Sequence, residues 1–477
     1  MGRCTPLQRL HRLFYLFLLS KPISESLPAS HIMETQLIII GAGPGGYEAA
    51  VHAAAAGLQT VIIERDALGG TCLNAGCIPT KCLCHTAEVL AESRHSEALG
   101  ITASEVAFDL SKAMARKDAI VAQLQGGIDS LMKAPGITLV RGEARFVDAH
   151  TIAVGDETYT APHIIIATGS TSRFLPIEGA HAKGVLTSNE LLQLQEVPRR
   201  LTIIGGGVIG MEFAGIFRAF GSEVTVIEFC KEVLPFFDRD LAKRLRTSLK
   251  KQGIDFHVGA AAKAIHEGDT LTVDYEEKGK LRSVEADVVL MAVGRGANLE
   301  SMNFADAGIE TSRRGVVVDE HFQTSVSGVY AIGDINGLCQ LAHAATFQGF
   351  AALDHILGRP SPYRLEVMPA AVFTVPEAAM VGRTEEQLGE AGVEYQVHKS
   401  FYRANGKALT MNADDGFVKI LTDPDGRILG AHILGAHACD LIHEVAVIMQ
   451  HDGKLSEIAH TVHAHPSLSE IVLAASH

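Results

Sequence analysis

The chain has 477 residues with 55 acidic and 41 basic side chains, a formal net charge of −14. That balance excludes a nucleic-acid binder, whose contact face must be basic. Hydrophobic residues at 47% and charged residues at 20% are ordinary for a soluble globular protein, and the length predicts roughly two to four packed domains.

Residues 1–32 stand apart. Arg3, Arg9 and Arg12 precede the apolar run Leu13 to Leu19, and no acid appears before Glu25. The run is too short to span a bilayer. A signal peptide, a transit peptide and untranslated upstream sequence all fit. The last is preferred, because Met33 stands four residues before the first expected strand. Residues 1–32 are therefore read as an N-terminal extension.

From residue 37 the chain repeats itself. Residues 37–64, LIIIGAGPGGYEAAVHAAAAGLQTVIIE, align without a gap on residues 201–228, LTIIGGGVIGMEFAGIFRAFGSEVTVIE. A shift of 164 places Gly41, Gly43, Gly46 and Glu64 on Gly205, Gly207, Gly210 and Glu228. Each copy reads as an apolar strand, a glycine turn, a helix and a second strand ending in glutamate. This is the dinucleotide-binding βαβ pattern. The first glycine permits the turn, the second admits a pyrophosphate, and the third packs helix on strand. The closing acid lies where it would hold ribose hydroxyls. One such motif is weak evidence; two aligned copies are strong.

Between the copies lies Gly69-Gly70-Thr71-Cys72-Leu73-Asn74-Ala75-Gly76-Cys77-Ile78-Pro79-Thr80-Lys81, followed by Cys82 and Cys84. Four clustered cysteines read as unreactive buried thiols, as metal ligands, or as a redox pair in a reducing compartment. Zinc is disfavoured by the missing CxxC spacing. Residues five apart on a helix face about 140° away from each other, so a Cys72–Cys77 bond requires a distorted first turn. A thiolate at a helix N-terminus is stabilised by unpaired amides, and Lys81 adds positive charge.

Further along, 163–170, 287–295 and 329–334 read as buried strands running into glycine turns, among them Gly169, Gly294 and Gly333. Beyond about 360 the composition changes. Phe417 to Leu421 and Ile428 to Leu434 read as strands, and Cys439 to Gln450 as a helix. The C-terminus carries His463-Ala464-His465-Pro466-Ser467-Leu468-Ser469-Glu470. A histidine with a carboxylate partner is the natural base for moving thiol protons near neutral pH.

GGTCLNAGCIPTK after such a βαβ unit resembles the redox-active disulfide of the pyridine nucleotide-disulfide oxidoreductases, and the resemblance runs from about Met33 to the C-terminus. It implies an α/β chain with two Rossmann-like domains and a C-terminal α+β dimerisation domain. The implied layout is an FAD-binding domain at 33–185, an NAD-binding domain at 186–296, a central part completing the FAD domain at 297–360, and an interface domain at 361–477. It implies Cys72 as the interchange thiol and Cys77 as the charge-transfer thiol against the flavin. Lys81 would lie by the flavin ring and pair with Glu212. Thr168, Gly169, Gly333 and Asp334 would contact FAD, and Gly294 would border the cofactors. His465 would be the base and Glu470 its partner, while His463 and His460 receive no role and no metal is implied.

Within the family, Gly416 to Ile420, Ile428 to Gly430, Ile442-His443-Glu444 and Phe373 to Glu377 are similar to the dihydrolipoamide dehydrogenase branch. Ala297 and Ser467 depart from it by replacing a frequent proline and threonine. No cysteine follows Cys439, which disfavours a mercuric reductase. The implied reaction oxidises dihydrolipoyl groups with NAD⁺, and Glu228 favours NAD over NADP by repelling a 2′-phosphate. The implied assembly is a homodimer serving lipoyl domains of 2-oxo acid dehydrogenase complexes, with their acyltransferase core, or the glycine cleavage carrier. The expected location is the cytoplasm, or the mitochondrial matrix if residues 1–32 are a transit peptide.

Overall fold

The computed structural model describes residues 32–102, 105–300 and 302–477. The expectation of an N-terminal extension falls almost wholly outside the described residues. Its boundary is corrected by β1 (Ile32–Glu34), which pairs in parallel with β7 (Glu157–Thr160), so Met33 lies inside a strand. β1 is only three residues long and exposed, with no apolar alternation to announce it. β5 (Ala144–Asp148) and β6 (Thr151–Val154) complete this four-stranded sheet.

Two five-stranded parallel sheets dominate the chain. The first has the order β19-β8-β2-β3-β4, formed by Val329–Ala331, His163–Ile166, Leu37–Ile40, Thr60–Glu64 and Ile137–Arg141. The second has the order β10-β17-β11-β12-β13, formed by Val185–Leu186, Val288–Met291, Arg200–Ile204, Glu223–Glu228 and Asp255–Val258. Strands β2 and β3 are apolar through their middles, and β11 and β12 are interrupted only by Thr202 and Thr225, as suits strands buried on both faces.

The two repeat copies build matching crossovers. Helix α1 (Pro44–Ala55) follows β2, and its counterpart (Val208–Phe220) follows β11. Gly41 and Gly205 both adopt left-handed backbone, with φ of +101° and +110°. A Cβ on Gly46 would lie 1.8 Å from the Gly41 carbonyl oxygen, and one on Gly210 would lie 2.0 Å from that of Gly205. Only glycine lets each helix start so close to its strand.

After β3 come α2 (Gly70–Ala75), α3 (Cys77–Arg94) and α4 (Leu110–Leu131). The second unit adds α5 (Val208–Phe220) and α6 (Arg239–Lys251). A three-stranded antiparallel sheet follows, β14 (Ala260–His266), β15 (Leu271–Glu277) and β16 (Lys280–Ala286). The run 287–295 is strand over β17 and again at Arg295, which opens β18 (Arg295–Ala297), and 329–334 is strand only over β19, because the glycines that follow β17 and β19 turn the chain. Helix α7 (Ala342–Ile356) packs on α1, where a Cβ on Gly45 would meet the Ala345 carbonyl oxygen at 3.0 Å.

The last unit is an antiparallel sheet ordered β20-β21-β24-β23-β22, with β20 (Ala370–Val372) at one edge. It contains β21 (Glu377–Gly382), β22 (Gln396–Phe401), β23 (Phe417–Thr422) and β24 (Ile428–Gly435). Helices α8 (Glu385–Glu390), α9 (Ala438–Gln450), α10 (Leu455–Ala459) and α11 (Glu470–Ala474) accompany it. Its core, including Val418, Ile420, Ile433, Ile442 and Val472, is continuous. Among the described residues no helix is long and apolar enough to cross a membrane.

Candidate active site

Cys72 and Cys77 are joined by a disulfide, with Cα atoms 4.7 Å apart. The expected distorted first turn is instead a break between two helices: Cys72 lies within α2, and Cys77 opens α3 after Gly76. A Cβ on Gly76 would lie 3.0 Å from the Thr71 carbonyl oxygen and 3.4 Å from Cys72 Cα, so the break needs a glycine. Asn74 anchors the loop by donating from Nδ2 to the Leu68 and Gly70 carbonyls at 2.9 and 2.8 Å. Gln125 of α4 donates in turn to Asn74.

Cys77 occupies the first turn of an 18-residue helix, where free amides favour a thiolate. One turn on, Lys81 Nζ lies 2.9 Å from both carboxylate oxygens of Glu212 on α5. Glu212 is buried and also accepts the Phe373 amide at 3.1 Å. Cys82 and Cys84 lie further along α3, and burial pushes both thiols up, away from reactivity.

A single cavity of about 2560 Å³ is lined by the disulfide and by both glycine turns. Lys81, Glu212, Glu64, Glu228, Thr168, Gly169, Gly294, Gly333 and Asp334 also line it. Gly46 and Gly210 do not; they face their strands. His465 and Glu470 do not either. Glu64 accepts the Ala42 amide at 2.7 Å and the Asp66 amide at 2.8 Å. Glu228 does the same for Gly206 and Cys230. The repeat therefore extends to how each acid grips its own glycine turn.

The cavity fits two dinucleotides. A Cβ on Gly169, Gly207 or Gly294 would meet no protein atom within 4 Å, so these glycines open directly onto it. Thr168 Oγ1 is buried without a hydrogen-bond partner, a state that a ligand's polar atom would relieve. Arg295, which sequence reasoning passed over, donates to Ser170 Oγ at 2.7 Å and to the Ser170 carbonyl at 2.6 Å. Ser170 donates onward to Asp334. Burial lowers the proton affinity of the Arg295 guanidinium, against the opposing pull of Asp334.

His465 stands elsewhere in this chain. Its ring is 81% exposed, with Nδ1 2.9 Å from Glu470 Oε1, and Glu470 Oε2 accepts the Ser467 amide at 2.8 Å. These bonds, the Ser467 amide first and His465 second, hold the Glu470 carboxyl below the usual range. Histidine Nε2 is thus the nitrogen left for chemistry.

Among the described residues one group gathers metal-ligand atoms, Asp238, Asp240 and Glu385. The ammonium of Lys419 already bonds all three.

Two dinucleotide turns and a disulfide on one cavity define a flavin-dependent disulfide reductase. The chain matches the family described as "Pyridine nucleotide-disulphide oxidoreductase" over residues 35–349 and its dimerisation domain over residues 368–476. It is 41% identical to "Dihydrolipoyl dehydrogenase" of Bacillus subtilis over 93% of this chain and 96% of that one. It is likewise 41% identical to "Dihydrolipoyl dehydrogenase, mitochondrial" of Pisum sativum, over 94% and 92%. Among solved structures, LpdA from Mycobacterium tuberculosis superposes with a TM-score of 0.85 at 29% identity, over 93% of this chain and 99% of that one. The HOCl-induced flavoprotein disulfide reductase RclA from Escherichia coli gives 0.82 at 32%, over 92% and 98%. The chain belongs to the pyridine nucleotide-disulphide oxidoreductase family. Its cofactors are FAD and NAD.

Proposed function

We propose that the chain oxidises protein-bound dihydrolipoyl dithiols and reduces NAD⁺, as a homodimer whose two sites each use both chains. The observation that carries this reading is the Cys72–Cys77 disulfide on a cavity shared by two dinucleotide turns. The dihydrolipoyl substrate is supported by the full-length relatives bearing that name.

His465 Nε2 takes the proton of one substrate thiol, while Glu470 on Nδ1 orients the ring and supports its charge. The resulting thiolate attacks Cys72 Sγ, and the Cys72–Cys77 bond breaks. Cys77 leaves as a thiolate, stabilised by the helix amides and by Lys81. The second substrate thiol then displaces Cys72, closing the cyclic disulfide and leaving two electrons on the cysteine pair. Bound FAD supplies the two-electron path from that pair to the nicotinamide.

The first glycine turn, Glu64, Thr168, Gly169, Gly333 and Asp334 would hold FAD. The second turn, Glu228 and Gly294 would hold NAD, with Glu228 accepting from the ribose and repelling a 2′-phosphate. The lipoyl carriers are those of 2-oxo acid dehydrogenase complexes or the glycine cleavage system, and the compartment is the cytoplasm.

Purified protein mixed with dihydrolipoamide should reduce NAD⁺, and Cys72→Ser should abolish this. NADPH-dependent reduction of glutathione disulfide without dihydrolipoamide turnover would contradict the proposal.

A further inference from the structure

The sequence left His463 without a role, and its surroundings give it one. Its Nε2 lies 2.8 Å from Glu444 Oε1 on α9, and its Nδ1 lies 2.9 Å from the Thr461 carbonyl oxygen. Both partners only accept. A neutral imidazole has one N–H and can serve one acceptor; serving two requires both nitrogens protonated. The side chain is 5% exposed, so water does not take the place of either partner.

We infer that His463 is a positioning residue, an imidazolium held between Glu444 and Thr461 two residues before His465, whose fixed positive charge sets the pH range in which His465 accepts a thiol proton. The inference rests on the reading of His465 as the base. A base must be neutral before it acts, and a carboxylate partner alone would favour its charged form. A cation fixed two residues away opposes the bias, leaving the ring oriented by Glu470 and still ready to accept. Burial disfavours the charged His463 ring, but the Thr461 carbonyl and Glu444 outweigh it, and its proton affinity is raised.

Among the described residues, the other titratable groups on the elements packed here have partners of their own or lie exposed. Of the elements packed here, β22 carries His398, bonded to Thr422, and Lys399, bonded to Asp240. On α10 the Glu457 carboxylate lies against Gly453. His443 of α9 and His460 after α10 are exposed. Glu444 and Glu470 are the charges that act on His463, and His463 acts in turn on Glu470.

The test follows kcat/KM for dihydrolipoamide against pH in the holoenzyme. His463→Gln should move the acid limb upward by about half a pH unit or more. The double variant His463→Gln with Glu444→Gln, which removes both members of the ion pair, should bring the limb back toward its original position. His463→Lys, keeping the charge, should leave the limb in place. A purely structural role would lower the rate at every pH without moving the limb, and that result would overturn the inference. Should His463→Gln fail to fold, ¹⁵N-histidine spectra of the unmodified protein still decide. One ring protonated on both nitrogens at pH 7.5, and titrating in Glu444→Gln, supports the inference; its absence overturns it. His465→Gln separates the two readings. If that variant keeps full activity, the base assignment itself has failed. If it is inactive while the His463→Gln limb stays put, only the present inference has.

Discussion

Lys81 and Glu212, 131 residues apart in the chain, meet in a two-pronged ion pair with Nζ 2.9 Å from each carboxylate oxygen. The pair bridges α3, which carries Cys77, and α5, the helix of the second dinucleotide turn. The ammonium also lies 4.7 Å over the Phe373 ring. One contact thus fixes the spacing of the disulfide, the second nucleotide unit and the C-terminal unit.

Removing one partner leaves the other charge stranded. Lys81→Met should destabilise the protein by about 2 kcal/mol, less than a fully buried pair because the lysine is partly exposed. Glu212→Gln should cost less, since its amide oxygen still accepts from Phe373. Urea unfolding of the two holoenzymes checks the order; a milder Lys81→Met would contradict it.

The two thiols should separate by spectrum. Cys72→Ser leaves Cys77 free at the helix N-terminus, where its thiolate should give a long-wavelength band with the flavin and no reductant. Cys77→Ser should lack the band. The opposite pattern would exchange the two assignments.

Glu228 should set nucleotide choice. NAD⁺ should exceed NADP⁺ by about tenfold or more in kcat/KM. Glu228→Gln keeps acceptors for ribose and loses the charge, so the preference should narrow. Glu228→Ala should lose more NAD⁺ affinity, because the carboxylate also holds the Gly206 and Cys230 amides. Equal use of both nucleotides by the unmodified protein would refute the role.

Lys419 should matter for stability rather than chemistry. It is fully buried on β23 and ties Asp238 and Asp240, at the start of α6, to Glu385 of α8. Burial disfavours its charge, yet the carboxylates raise its proton affinity. Lys419→Met strands the fully buried Asp238 and should cost about 3–5 kcal/mol, measured by urea unfolding. An unchanged midpoint would contradict this.

Much of the site was legible because it is local. A glycine turn, its helix and its closing acid lie within 28 residues, and sterics dictate their spacing. The cysteine loop is local too, although the break at Gly76 was not foreseen, since it depends on how closely Gly76 approaches Thr71 and Cys72. Contacts across long separations were not legible from the residues. Arg295 reaches Ser170 over 125 residues, and His463, in the loop after α10, reaches Glu444 on α9. Strand β1 exists because β7, more than 120 residues later, offers it an edge. The Lys81–Glu212 contact entered the sequence reading only through family resemblance.

His465 does not line the cavity holding the disulfide of its own chain, and the most direct measurement exploits this separation. Cys72→Ser and His465→Gln, each nearly inactive alone, are co-expressed and the mixed dimer isolated. If each site joins the disulfide of one chain to His465 of its partner, one site carries both lesions and the other is whole. The mixed dimer should then regain up to about half the activity of the unmodified dimer. A mixed dimer as inactive as its parents would place His465 with its own chain's disulfide and contradict the shared site.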